Sequence, residues 1–227
     1  MAHKPKVLSN ADGGTGASSF SQYQLILMGA TAFVGINPSS TIGAIFRSAG
    51  NAANPVYDTN LLCDANGYIT MAAQPRFQAK LTTNPTSVTG DGTNYTIICD
   101  TAIVNVGSSY NVSTGIFTIP TAGFYKFWAA ALITGVNATG WTSGLFQIIR
   151  KNSGGVTQRQ SFFRTNPGKL FDANSQVSML TEFCDLCSAG DTISLLVSIS
   201  GSTKSLGVFG DSGSNNYTEF GGILISK

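Results

Sequence analysis

Residues 105–127, NVGSSYNVSTGIFTIPTAGFYKF, decide the fold. No 3.6-residue apolar period runs through them. They read as β-rich pieces, YNVSTGIFTIP and the start of GFYKFWAAALI, punctuated by turn formers. In GFYKFWAAALI, strand alternation turns Tyr125, Phe127, Ala129 and Ala131 one way and Phe124, Trp128, Ala130 and Leu132 the other. Both faces are apolar apart from Lys126. Burying a side chain of this size contributes about 1.5–3 kcal/mol. The face carrying Phe124, Trp128 and Leu132 is therefore expected to be covered, by loops of the same chain or, as we favour, by a neighbouring copy.

Working outward, the same pattern continues to the end of the chain. GLFQIIRK, QRQSFFRT, SQVSMLTEFCDL, DTISLLVSIS and YTEFGGILISK are β-branched and aromatic runs separated by NSGG, NPG, SAGD and GDSGSNN turns. In DTISLLVSIS, Ile193, Leu195, Val197 and Ile199 share one face, while Thr192, Ser194 and Ser198 share the other. That is the signature of a half-buried antiparallel strand. Helical patterning is nearly absent, so the fold class is all-β, a sandwich or jelly roll. Residues 1–80 differ: they are Gly-, Ala-, Ser- and Asn-rich with short apolar islands such as YQLILMGA, NPVYDTNLLCD and GYITMAAQPRF. We expect an N-terminal shaft or attachment segment over 1–80 that winds with copies of itself or packs on the head. The head domain is expected over 81–227, its opening strand beginning near 74.

Composition narrows the function. Only 11% of the 227 residues are charged, against roughly a quarter in ordinary soluble domains. The formal net charge is +2, with no basic cluster, which argues against nucleic acid as a partner. The longest apolar stretch, LILMGATAFVGI, is broken by Gly and Thr and is far short of the ~20 residues of a membrane helix, so no insertion is expected. No secretion signal is legible in MAHKPKVLSNADGG. With so few charges to hold copies apart, part of the apolar surface is expected to be hidden in an oligomer.

Residues 105–127 also resemble a known signature. Asn105, Tyr110, Phe117, Gly123, Tyr125 and Phe127 follow the pattern of the C1q-like globular head, the trimeric jelly roll related to tumour necrosis factor. TEFGGILISK is similar to that family's closing strand, AGDTISLLV to its penultimate strand, and QPRFQAKL to its opening strand. Two positions depart from the pattern: Cys99 stands where the family has a leading Phe, and Ala129 where it has a trailing aromatic. GGTGASSFSQYQLILMGAT resembles a repeat of phage and large-virus fibre and tail-fibre proteins, which often precedes such a head. The resemblance implies a homotrimer, with Phe124, Trp128 and Leu132 as interface candidates. It also implies a virion or extracellular location and a virion or tail component bound at the N-terminus.

Chemistry is thin. The sole histidine, His3, lies in the N-terminal tail, so neither a Ser/His/Asp triad nor a His/Cys metal site can be assembled. The acids are scattered, and Asp185 and Asp191 flank a turn as capping or solvating groups; no enzyme activity and no cofactor are expected. Cys63, Cys99, Cys184 and Cys187 read as idle thiols, with a local Cys184–Cys187 disulfide or redox pair left open. Asp211 in GDSGSNN is a weak calcium candidate amid residues that mainly form turns. Four N-x-S/T sequons, at Asn94, Asn111, Asn137 and Asn216, fit chance in so Asn- and Ser-rich a chain.

Binding is easier to support. In such a jelly roll the loops 136–143, 165–175 and 201–217 are expected to gather at the end away from the termini. They carry Trp141, Phe171 and Phe209 as ligand-binding candidates, with Lys169 and Lys204 nearby. The alternative is that these aromatics tuck back and cap the sandwich. The reading is a trimeric viral or phage fibre or spike protein that attaches to a host-surface glycan or protein receptor. A structural capsid-decoration protein and a bacterial surface adhesin remain alternatives, with a polysaccharide depolymerase behind them.

Overall fold

In the computed structural model, the described residues are 25–28, 33–36, 44–47 and 55–227. The chain divides into two compact units, Met1–Ala72 and Ala73–Lys227. In the first unit β1 (Leu25–Met28) pairs antiparallel with β2 (Phe33–Ile36). A second, three-stranded sheet runs β3 (Ala44–Arg47), β4 (Val56–Cys63) and β5 (Ile69–Met71). Phe46 meets Tyr57 edge-on at 5.0 Å and Arg47 pairs with Asp58 at 3.0 Å, yet Tyr68, Ile69 and Met71 stand exposed together. GGTGASSF, the core of the fibre-like repeat, and His3 lie outside the described residues.

The second unit is a two-sheet sandwich. Its strands are β6 (Arg76–Lys80), β7 (Asn94–Ile97), β8 (Thr101–Asn105), β9 (Tyr110–Asn111), β10 (Ile116–Thr118), β11 (Gly123–Thr134), β12 (Ser143–Lys151), β13 (Thr157–Thr165), β14 (Gln176–Cys187), β15 (Thr192–Ser200), β16 (Gly207–Phe209) and β17 (Glu219–Ser226). One sheet is ordered β13-β12-β15-β10-β9, with β7 also on β15; the other is β14-β11-β17-β6-β8, with β16 on β11. The chain crosses between sheets repeatedly, as a jelly roll does. Among the described residues the only α-helix is a single turn, α1 (Pro167–Leu170). β6 is bonded to β17 from Arg76↔Ile223 to Lys80↔Glu219, so the head begins ahead of residue 81.

The expected alternations hold. Ile193, Leu195, Val197 and Ile199 are fully buried, and so are Tyr125, Phe127, Ala131 and Ile133 from β11. Rings fill the interior: Phe77 stacks on Tyr110 at 4.9 Å and on Phe117 at 4.4 Å, and Phe220 meets Phe77 edge-on at 4.9 Å. The Gly-Gly of the closing strand is explained by this packing. A Cβ on Gly222 would lie 2.5 Å from the Phe127 ring, and one on Gly221 would lie 2.3 Å from the Trp128 ring. Arg150 of β12 clamps the two sheets near the terminal end, bonding Asp185 of β14 at 2.7 Å and Asp191 at 2.7 Å. Asp191 also accepts the Ser188 N–H at 3.0 Å and so caps its turn as expected, but both aspartates are partners of a largely buried arginine and not solvating groups.

Candidate functional site

The first region is the outward face of the β14-β11-β17 sheet. Register places Phe124 beside Leu186, Lys126 beside Cys184, Trp128 beside Glu182 and Ala130 beside Leu180. On the other side of β11, Trp128 lies beside Gly221 and Ala130 beside Glu219. Phe124 is 39% exposed, Leu180 65%, Leu186 68% and Ile225 51%. Polar relief comes from Lys126–Glu182, paired at 2.9 Å, and from Gln78, whose amide donates to Glu219 at 3.0 Å. Between them an open groove of about 360 Å³ is lined by Trp128, Ala130, Leu180, Thr181, Glu182 and Glu219. Trp128 is half-buried because its indole lies over the bare backbone of Gly221.

Leu132 corrects an expectation. It is only 9% exposed, and β16 pairs alongside it at Leu132↔Phe209, so its own chain covers it. Leu180, Leu186 and Ile225 belong to the open patch and were not singled out in the sequence. The alternation of SQVSMLTEFCDL carried the signal for the first two.

The second region is the end of the sandwich away from the head's termini. β11 arrives there at Thr134, β12 leaves at Ser143, β13 arrives at Thr165, β14 leaves at Gln176 and β15 arrives at Ser200. The three expected loops do converge. They are tied by backbone bonds: Gly168 N–H donates to Trp141 C=O at 3.0 Å, Val136 N–H to Ser175 C=O at 2.9 Å and Thr142 N–H to Ser200 C=O at 3.1 Å.

The aromatics at this end mostly face inward. Trp141 is 5% exposed and joins the core, so it presents no ring to a ligand. Its Nε1–H is the one buried side-chain donor among the described residues without a partner. Phe171 is half-buried against the core, and Phe209 is half-buried and edge-on to Tyr217 at 5.3 Å. Lys169 and Lys204 are exposed, as are Leu170 and Tyr217, which composition alone did not distinguish from turn residues.

The remaining candidates resolve locally. Asp211 accepts backbone N–H bonds from Gly213 at 2.9 Å and Asn215 at 3.1 Å, which hold its carboxyl below the usual range; it closes its own turn. No cluster of three or more His, Cys, Asp or Glu occurs among the described residues. Cys184 is exposed and Cys187 buried, so a three-residue spacing on a strand has put them on opposite faces and both are free thiols. Burial pushes the Cys187 thiol up to about 11 and the Cys99 thiol up to about 12, which leaves both inert at neutral pH. Among the described residues no helix is long and apolar enough to cross a membrane.

Comparison with known proteins gives the framework. Crystal structures of murine APRIL at pH 8.0 and at pH 5.0 are each 12% identical, with a TM-score of 0.45, covering 67% of this chain and 99% of that one. A third, at pH 8.5, is 11% identical with a TM-score of 0.44. No curated protein matches the sequence. The model of the C1q domain matches residues 76–225. The second unit is an all-β jelly roll of the C1q/TNF type, and the chain belongs to the C1q domain family.

Proposed function

We propose that this chain is a trimeric viral or phage fibre or spike protein. Its N-terminal segment, Met1–Ala72, serves attachment to a virion or tail component, and its head, Ala73–Lys227, serves recognition of a host-surface glycan or protein. Domains of this family are typically trimeric, extracellular and ligand-binding rather than catalytic, which fits that role. The single observation that carries the assembly is the open face bearing Phe124, Trp128, Leu180, Leu186 and Ile225. A contiguous apolar patch of this kind is unusual on a monomer and marks an interaction surface. The exposed Tyr68, Ile69 and Met71 of the first unit make the same demand there, since so small a sheet cannot cover its own apolar residues.

Recognition is assigned to the loop end, where Lys169, Lys204, Leu170 and Tyr217 stand exposed to a partner. The inward packing of Trp141 and Phe171 favours a second reading, a structural capsid-decoration protein whose head touches no host molecule. Size-exclusion chromatography with light scattering tests the assembly: three chains are expected, and a clean monomer at micromolar concentration refutes it. Glycan-array and cell-binding assays on the intact protein separate the two roles, a uniformly null result favouring the structural one.

A further inference from the structure

We propose that the groove beside Trp128 receives Arg164 of a second copy of this chain, so that copies join head to tail through two different patches. The proposal rests on the trimeric reading above and specifies its contact. The groove selects a cation. Glu182 and Glu219 stand on its walls; Lys126 pairs with Glu182, and Lys80, directly across from Glu219, donates to the Gly213 carbonyl instead, so the described residues place no cation within ion-pair reach of Glu219. The remaining walls, Trp128, Ala130 and Leu180, are apolar. A guanidinium fits both demands: it is planar, weakly hydrated, stacks on an indole and forks onto a carboxylate.

Arg164 is the arginine free to enter. Arg150 is held by Asp185 and Asp191, Arg159 lies 3.7 Å from Asp185, Arg47 pairs with Asp58, and Arg76 reaches the Gln74 carbonyl. Arg164 is exposed and has no carboxylate in ion-pair reach among the described residues; its guanidinium carbon sits 5.0 Å from the ring of Phe162. Phe162 is 52% exposed and supplies an apolar companion for Leu180.

One chain cannot make this contact alone. Arg164 and Phe162 lie opposite Leu145 and Gln147 on the outward side of the β12 sheet, whereas the groove opens on the outward side of the β11 sheet. At the sandwich edge β13 meets β14, Ser161 Oγ donating to the Glu182 carbonyl at 2.9 Å, but Glu219 lies two strands further on, about 10 Å away on β17, so Arg164 does not reach Glu219 in its own chain. Because the two patches differ, the contact is heterologous and generates a ring or a filament rather than a two-fold dimer. β13 is an edge strand of its sheet, so the contact seats the edge of one copy on the face of the next.

Light scattering over a dilution series tests the contact on the full chain, comparing wild type with Arg164→Glu, Glu219→Arg and the double exchange. Each single reversal places like charges together and is expected to weaken assembly by about tenfold or more. The double exchange restores the pair and is expected to recover assembly. Circular dichroism melts establish that each variant is folded; a variant that is not is replaced by Arg164→Gln or Glu219→Gln, for which a smaller loss is expected. Folded single variants that assemble like wild type, or a folded double variant that fails to recover, overturn the contact while leaving the trimer standing. A wild-type protein that runs as one chain removes the trimeric reading itself.

Discussion

Replacing Leu180 and Leu186 together by Gln measures what the open face contributes. Complete burial of a leucine side chain is worth about 1.5–3 kcal/mol. These two are still 65% and 68% exposed in the single chain, so roughly two-thirds of that gain is available only to an added partner, about 1–2 kcal/mol each. The pair is therefore expected to cost about 2–4 kcal/mol per copy on assembly, a weakening of roughly 30- to 1,000-fold. The same exposure means that neither leucine supports its own chain much, so the dissociated variant should unfold within about 0.5 kcal/mol of the dissociated wild type. Sedimentation equilibrium gives the first number, and urea unfolding at a concentration where both proteins are monomeric gives the second. An unchanged association constant would show that the face is not the site of assembly. A large loss of single-chain stability would show that its burial has been misjudged.

Three further outcomes are expected. Gly222→Ala drives a methyl against the rings of Phe127 and Phe77, both fully buried and unable to retreat, and should cost about 1–3 kcal/mol in urea unfolding. Gly154→Ala, whose added carbon would meet only the Asn152 side chain at 3.4 Å, serves as a near-neutral comparison. Cys184 lies on the open face, so maleimide labelling read by peptide mass should be slow in the assembled protein and fast after dilution; equal rates in both states argue against coverage of that face. Asp100 is pulled upward by burial, but the N–H and hydroxyl donors of Thr82 and Thr83 outweigh this and hold its carboxyl below the ordinary aspartate range. A depressed folded value contributes stability above about pH 4 that is lost as pH falls through it. Melting temperature should therefore drop more steeply below pH 4 in wild type than in Asp100→Asn, and parallel curves would remove Asp100 from the account.

Legibility in the sequence tracked the range of the physics involved. The two faces of β11 and the inward set of β15 depend on a period of two within one strand, and both were legible. Leu132 obeyed the same parity but was covered by β16, which pairs with it from more than seventy residues downstream. A register at that separation leaves no local trace. Cys184 and Cys187 were decidable in principle, because three residues on a strand invert the face once the strand is granted. The Arg150 clamp was not: its aspartates sit 35 and 41 residues away, and a charge near a turn looks the same whether it meets water or a guanidinium. Trp141 shows the limit most plainly. Its Gly- and Thr-rich neighbours suit an exposed anchor as well as a buried plug, and the backbone bond from Gly168 to its carbonyl is a contact between loops.

The burial of Trp141 changes what recognition at the loop end can be. Without it, the reachable side chains are two lysines, an aspartate, a leucine and a tyrosine among small polar residues, a surface suited to weak and adaptable contacts rather than one tight anchor. On the host-surface role proposed above, such a head would hold its target by repetition. Linking weak sites on one rigid body raises the overall affinity by about 10²–10⁴ without any new contact. Assembly and recognition are then a single property measured at two places. The Leu180/Leu186 exchange alters no residue of the loop end, yet it should abolish cell-surface binding in step with the loss of assembly. Binding that survives in the dissociated variant would mean that one head carries a complete site, and the search for it would return to Tyr217, Phe209 and the loop that joins them.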